Sequence, residues 1–494
     1  MEHRFNLIDE PWIPVADMGR VGLRDIFTHP EYRTLGGNAV QKIAILKLLQ
    51  ALTQAAVTPK DMLEWQQLGW RGMADRVCSY LVKWHDSFNL YGSRPFLQMP
   101  AIAPATIKSF GTVLPNVATG NTTILTQSQV ERPLDDGERA LLLLTQMNFA
   151  LGGKKTDNSV VLTPNYSGKS NDKGKPSTGR PSPSVAYKGL LHNYCLGASL
   201  LESIWFNLFT EVEIAELAIY PHGLGIPPWE LMPQGEDCLV AKQLKGSLMG
   251  RLVSLSRFCL LTAEGLHYSE GIIHRSHKEG CVDPSVLVDY SGRELKVRWA
   301  DPERRPWREL TNLLGFNVQG DSLFDCHQIR LALSKASQQG KPFAIWSGGL
   351  QVSSNAGEQY VSGLDDMVES LCWLYPTDLN ESWFNHFQTE MSQLARLSKI
   401  LYGSVMGYYK AQLMGGESFA KQASNDFWQL CERQKQALIN GCHDPMTRQS
   451  LRHQFAHNAT QVFNLFCPNL TARQIDAWAR AKPNFSAYLQ QEQS

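Results

Sequence analysis

Apolar positions along the chain change period several times, and those changes outline the fold. Over 37–56 (GNAVQKIAILKLLQALTQAA) apolar residues occupy most sides of a 3.6-residue repeat, which predicts a long buried helix. Thr58 and Pro59 then read as an N-cap and first-turn proline for a second helix reaching Trp70. A third helix follows over 73–88. The stretch 99–136 is irregular and rich in Pro, Thr, Asn and Gly. The run 137–151 (GERALLLLTQMNFAL) is helical again, with Gly152 and Gly153 placed to cap its end. One more helix is expected over 190–209.

Between 249 and 299 the pattern shortens to β-like runs such as VSLSRFCLLT and SVLVDY, separated by turns. A helix is expected over 328–336. The segment 342–363 (PFAIWSGGLQVSSNAGEQYVSG) reads as strand, glycine turn, short polar hairpin and strand. At the very start, FNLIDEPWIPV sets two short apolar runs around Asp9, Glu10 and Pro11. Pro14 would interrupt a central ladder, so an edge hairpin is expected there. Beyond about 375 the pattern is helical throughout, broken at Gly415-Gly416, at 441–445 and at Pro468-Asn469. Short breaks imply antiparallel neighbours and hence a four-helix bundle. The expected architecture is α+β: a mixed α/β domain over 1–375 and a bundle over 376–494.

Composition adds one contrast. The chain carries 47 basic and 47 acidic residues, so any nucleic-acid contact rests on patches, not on overall charge. One such patch is the loop 151–189, dominated by Gly, Ser, Pro, Asn and Thr. It holds Lys154, Lys155, Lys169, Lys173, Lys175, Arg180 and Lys188 against only Asp157 and Asp172. Glycines let a backbone approach a ligand closely and lysines neutralise phosphates, so this loop is the candidate for meeting a nucleic-acid backbone. The ten cysteines include no CxxC pair, which points to reduced thiols in a cytoplasm and away from a Cys-rich zinc module. No apolar run approaches the ~20 residues of a membrane span, and no targeting signal is expected.

Catalytic signatures are sparse. LGGKKT lacks the glycine spacing of a phosphate loop and follows a helix. His85-Asp86 and His443-Asp444 are the pairs a metal-dependent nuclease would use. His453 and His457 stand four apart without the Glu of a zinc protease, and His274, His277 and Cys281 form a further possible ligand set. Metal chemistry is the less favoured reading at each place, and neither a catalytic residue nor a cofactor is assigned.

Taken together, FNLIDEPWIPV at the start, RPFLQ at 94–98, the glycine loop after a helix, SGGLQ near 350 and the C-terminal helices call up a known family. The chain resembles the large subunits, called CasA, of type I-E CRISPR surveillance complexes (Cascade). The resemblance implies a non-catalytic subunit that reads the protospacer-adjacent motif in double-stranded target DNA. It also implies help in opening the duplex and a docking surface for a helicase-nuclease. Guide RNA and the other Cascade subunits are the further partners implied, in a cytoplasmic setting without membrane contact. On this resemblance Leu151, Gly152, Gly153 and Lys154 match the family's glycine loop. Ser353, Ser354, Asn355 and Ala356 match its strand-separating hairpin, with Asn355 the amide nearest to the glutamine the family carries there. Arg275 or Lys278 are the nearest candidates for its mid-chain lysine. A metal-dependent nuclease and a scaffold that does not touch DNA are the alternatives.

Overall fold

The computed structural model describes residues 5–113, 133–152, 160, 162, 182–217, 219–280, 282–315, 323–355, 358–361 and 366–490. Helix and strand are mixed, and the chain divides into two compact units. The first takes in Met1–Pro302, Leu323–Gln339 and Ile345–Glu369; the second takes in Glu303–Ser322, Gly340–Ala344 and Ser370–Ser494.

In the first unit the helix Ala39–Ala56 is the core element, capped by the Asn38 side chain, which accepts from Gln41 N. Its near-complete burial matches its all-round apolar pattern, and its few polar side chains are used as ties. Lys47 Nζ sits 2.5 Å from Asp283 Oδ2, and Gln50 and Gln54 bond the backbone at Asn207 and Phe209. Buried polar groups must find such partners, because leaving them unsatisfied costs about 1–3 kcal/mol each.

The helix Met62–Lys83 is capped by Asp61, not by Thr58, whose hydroxyl instead bonds back to Gln54 O at 2.7 Å. The two expected helices are one run bent at Gly69, where φ is +59°. At the start of the chain the hairpin lies later than expected. Strand β1 (Ile13–Val15) pairs antiparallel with β2 (Gly19–Val21), setting Pro14 opposite Arg20 in a two-stranded sheet where both strands are edges. The residues before it form a turn, with Leu7, Ile8 and Trp12 buried.

The helix expected over 190–209 is instead strand β4 (His192–Leu196) followed by the helix Leu200–Phe206. Asn207 fixes this join, its side chain bonding Cys195 at both N and O. β4 lies in the sheet β13-β10-β4 with β10 (Phe343–Leu350) and β13 (Met367–Leu374). The expected glycine turn at 348–349 lies inside β10. A Cβ at Gly349 would stand 2.5 Å from Leu190 O, so glycine there permits a close backbone approach, not a turn. The β-like runs after 249 become β5 (Arg257–Leu261) and β6 (Leu266–Glu270), with β3 (Ile107–Lys108) on the far edge of β6. A separate small sheet is made of β7 (Val288–Asp289), β8 (Lys296–Val297) and β9 (Phe324–Asp325). The polar hairpin forms as expected, β11 (Ser353–Asn355) against β12 (Glu358–Tyr360).

In the second unit the main helices are Glu381–Ala411, Glu417–Arg433, Pro445–Phe466 and Ala472–Ala481. Breaks fall at Gly415-Gly416, between Gly441 and Pro445, and at Pro468, where Gly and Pro place them, while a further one at Gln434 has neither. Lengths are unequal, from 31 residues in the first to 10 in the last, and a short helix, Lys435–Gly441, intervenes. The first helix packs on the other three, and the buried Arg452–Glu390 pair links it to the third.

Candidate nucleic-acid interface

The helix Asp136–Asn148 carries the chain to the basic loop. Asp135 caps it and also pairs with Arg20 at 2.6 Å. The helix ends at Phe149, before the glycines, so Gly152 and Gly153 are not its cap. The helix end and the non-helical backbone after it are held at successive points. Asn148 Oδ1 accepts from Ser254 N at 2.9 Å, and Ala150 O accepts from Ser182 N at 3.0 Å. Leu151 O accepts from Arg257 Nη2 at 2.8 Å. Arg257 is itself buried and paired with Glu270 at 3.3 Å, so a desolvated ion pair fixes the last step before the loop.

The decisive contact is made by Gln359 on β12. Its Oε1 accepts from Gly152 N at 2.7 Å, and its own N donates to Gly152 O at 3.2 Å. Its Nε2 donates to Tyr187 O at 2.9 Å and to Ala186 O. One buried amide therefore holds both ends of the basic loop to the polar hairpin. Gly189 completes the clamp. Val352 N donates to Lys188 O at 3.0 Å, and a Cβ at Gly189, where φ is +79°, would fall 1.8 Å from Leu350 O. Only glycine fits that position. The two segments singled out separately as DNA-facing thus share one anchor. At that anchor Tyr187 and Lys188 are exposed, with the Lys188 Nζ 5.8 Å from the Tyr187 ring.

Of the residues expected to touch DNA, Gly152 is placed in full. Ser354 and Asn355 are placed by backbone, in register with Gln359 and Glu358. Gly153, Lys154, Lys155, Lys169, Lys173, Lys175, Arg180 and Ala356 lie outside the described residues. Arg275 and Lys278 are exposed around the turn His277–Glu279. Gln359 and Arg257 went unnoticed in the sequence; a lone Gln in a polar hairpin and a lone Arg opening a β-like run carry no local signal.

The residues considered for metal chemistry have other work. His85 Nε2 lies 2.9 Å from Asp9 Oδ2, and Asp9 also pairs with Arg24, so this histidine ties down the chain start. Asp444 caps the helix Pro445–Phe466 through Thr447 N at 2.8 Å. His453 and His457 are exposed. His274 is buried, with Nε2 2.7 Å from Ser254 O, and Cys281 lies outside the described residues. No group of three or more His, Cys, Asp and Glu arranged to hold a metal occurs among the described residues.

The family model for CRISPR-associated protein Cse1 matches residues 6–462. The chain belongs to this family. A CasA/Cse1 protein of Thermus thermophilus is 27% identical over 336 residues, an alignment spanning 63% of this chain and 60% of that relative. The crystal structure of Thermobifida fusca Cse1 superposes with a TM-score of 0.76 at 19% identity, covering 98% of this chain and 97% of that one. A chain of a structure described as a CRISPR RNA-guided surveillance complex superposes with a TM-score of 0.70 at 14% identity, covering 97% and 98%. The family resemblance and the α+β class read from the sequence are therefore both upheld. Among the described residues of this Cse1-family chain, no helix is long and apolar enough to cross a membrane.

Proposed function

We propose that this Cse1-family chain is the large, non-catalytic subunit of a cytoplasmic RNA-guided surveillance complex. It reads a short motif in double-stranded DNA and helps to open the duplex beside it. Other subunits and guide RNA hold it in place, and it presents a docking surface to a helicase-nuclease. The glycine and lysine loop that begins at Gly152 lies along the duplex, and the hairpin of β11 and β12 fills the space left by the first separated base pair. The observation that carries this reading is the Gln359 clamp, which gives both elements one rigid base. Reading a motif and prying open the adjacent pair require such a base, because unstacking costs a few kcal/mol per step and a loose wedge would yield first.

The test is strand opening by the assembled complex after changing Ser354, Asn355 and Ala356 together to Gly. Opening of a fully paired target should slow. A target carrying mismatches next to the motif, already open there, should restore most of the rate. Equal defects on both targets would move the hairpin out of wedging and into motif reading or assembly. Divalent-metal-dependent cleavage by the isolated chain would instead support the nuclease alternative.

A further inference from the structure

Two sequence runs that the DNA reading leaves unused, RPFLQ at 94–98 and PPWE at 227–230, come together around one cavity of about 300 Å³. Its walls include Pro95, Leu97, Met99, Trp229, Met232 and Pro233. Arg94 lies on its rim, exposed, and is the only charged residue lining it among the described residues. Among the described residues Arg94 has no hydrogen-bond or ion-pair partner, whereas Arg20, Arg24 and Arg139 are each paired with a carboxylate.

The walls are held rigidly. Phe96 stacks on Phe88 at 4.9 Å and on Trp229 at 6.3 Å. Trp229 Nε1 donates to the Tyr80 hydroxyl at 2.6 Å, and that hydroxyl donates to the Glu230 carboxylate. Leu97 has φ +55°, a left-handed conformation that a leucine rarely adopts. Gln98 holds it there, accepting from Leu261 N at 2.8 Å and donating to Leu90 O at 2.7 Å. A strained backbone kept in place by buried hydrogen bonds, and turned toward a preformed apolar cavity, is a mark of a binding site.

The chemistry of the walls selects the occupant. The volume stands at the lower end of the ~300–1,000 Å³ usual for small-ligand pockets, enough for an inserted side chain and its neighbour. Apolar and aromatic walls favour an apolar anchor. A single guanidinium is the fork that matches one carboxylate, while a nucleic-acid strand would call for several cations along its path. We propose that this cavity is a docking socket for a segment of a partner protein that presents an aromatic or long aliphatic side chain next to a carboxylate. The socket stands apart from the DNA reading, and its test does not involve DNA.

The experiment uses the full chain with 13C-labelled methionine methyl groups, in which Met99 and Met232 report from the walls. Their signals are assigned through Met99→Leu and Met232→Leu. The probe is the capped dipeptide acetyl-Phe-Asp-amide, compared with acetyl-Phe-Lys-amide and uridine monophosphate. The acidic dipeptide should shift both methyls and bind about tenfold more tightly than the basic one, the worth of one charge-assisted hydrogen bond. Arg94→Gln, a surface change that breaks no hydrogen bond or ion pair among the described residues, should remove that preference. Met232→Lys should abolish binding of both dipeptides. Unmoved methyls at millimolar peptide, equal binding of the two peptides, or tighter binding of uridine monophosphate would each overturn the proposal.

Discussion

His274 shows how single residues set the pH range in which the first unit is stable. A carbonyl can only accept, so the proton sits on Nε2, which lies 2.7 Å from Ser254 O. Nδ1 is buried and has no partner among the described residues. Burial, and then the nearby Arg251 charge, push the pKa from 6.5 down to about 3. The neighbouring Lys47–Asp283 pair solves the same problem by the opposite route. Burial alone would raise Asp283, but the charge of Lys47 outweighs it and holds the carboxyl at about 2. For His274 the unfolded chain binds the proton more readily than the folded one. Stability is therefore complete above pH 6.5 and is lost progressively as pH falls toward about 3. At about 1.4 kcal/mol per pKa unit, the loss is on the order of a few kcal/mol. Thermal unfolding midpoints should fall steadily from pH 6.5 to 4 in the native chain. His274→Gln, which keeps a donor for Ser254 but cannot titrate, should give a flatter profile. Parallel profiles would assign the acid sensitivity elsewhere.

Among the elements, the hairpin and the two ends of the basic loop behave as one piece because of Gln359. Gln359→Ala removes three side-chain hydrogen bonds, each worth about 0.5–1.5 kcal/mol. In hydrogen exchange, the amides at 149–152 and 186–188 should lose protection, while the helix Ala39–Ala56 stays protected. Gln359→Glu should be no milder despite its shape, because a carboxylate would face the Ala186 and Tyr187 carbonyls. Unchanged exchange at 149–152 would show that Arg257 and Ser182 suffice. The elements themselves were partly readable in the sequence. The polar hairpin and the breaks between C-terminal helices were legible because glycine, proline and polar pairs act locally. β4 forms where the sequence predicts helix because LLHNYCL suits either period, and only its place in the sheet decides it. The clamp was not legible at all. Gln359 meets Gly152 across 207 residues, and nothing near either residue announces the other.

At the scale of the whole molecule, a chain of zero net charge should owe its salt dependence to its patches. In the assembled complex, replacing Lys154, Lys155, Lys169, Lys173, Lys175 and Arg180 with Ala should weaken binding similarly across unrelated sequences, because phosphates carry no code. The log–log salt slope should flatten by roughly 0.9 per lost phosphate contact, and an unchanged slope would turn the loop toward another partner. The helical unit supports a different test. The change of pattern near 375 marks where its long helices begin, yet the unit also takes in Glu303–Ser322. Trp307, 2% exposed, meets Trp428 edge-on at 6.0 Å, and the Arg308 guanidinium lies 3.8 Å over the same Trp428 ring. Arg305 pairs with Glu432 at 3.4 Å. Ending the chain at residue 375 would strip Trp428 and Glu432 from these partners. Leu310, Leu313 and Leu314, buried in the full chain, lie a few residues beyond Trp307 and in the same unit. Exposed together, they make an apolar patch of the kind that drives aggregation. The fragment 1–375 should therefore bind a hydrophobic dye and sediment as aggregates, and co-expression of 376–494 should suppress both effects. A monodisperse, dye-free fragment would show that the segment around Trp307 finds cover without the helices.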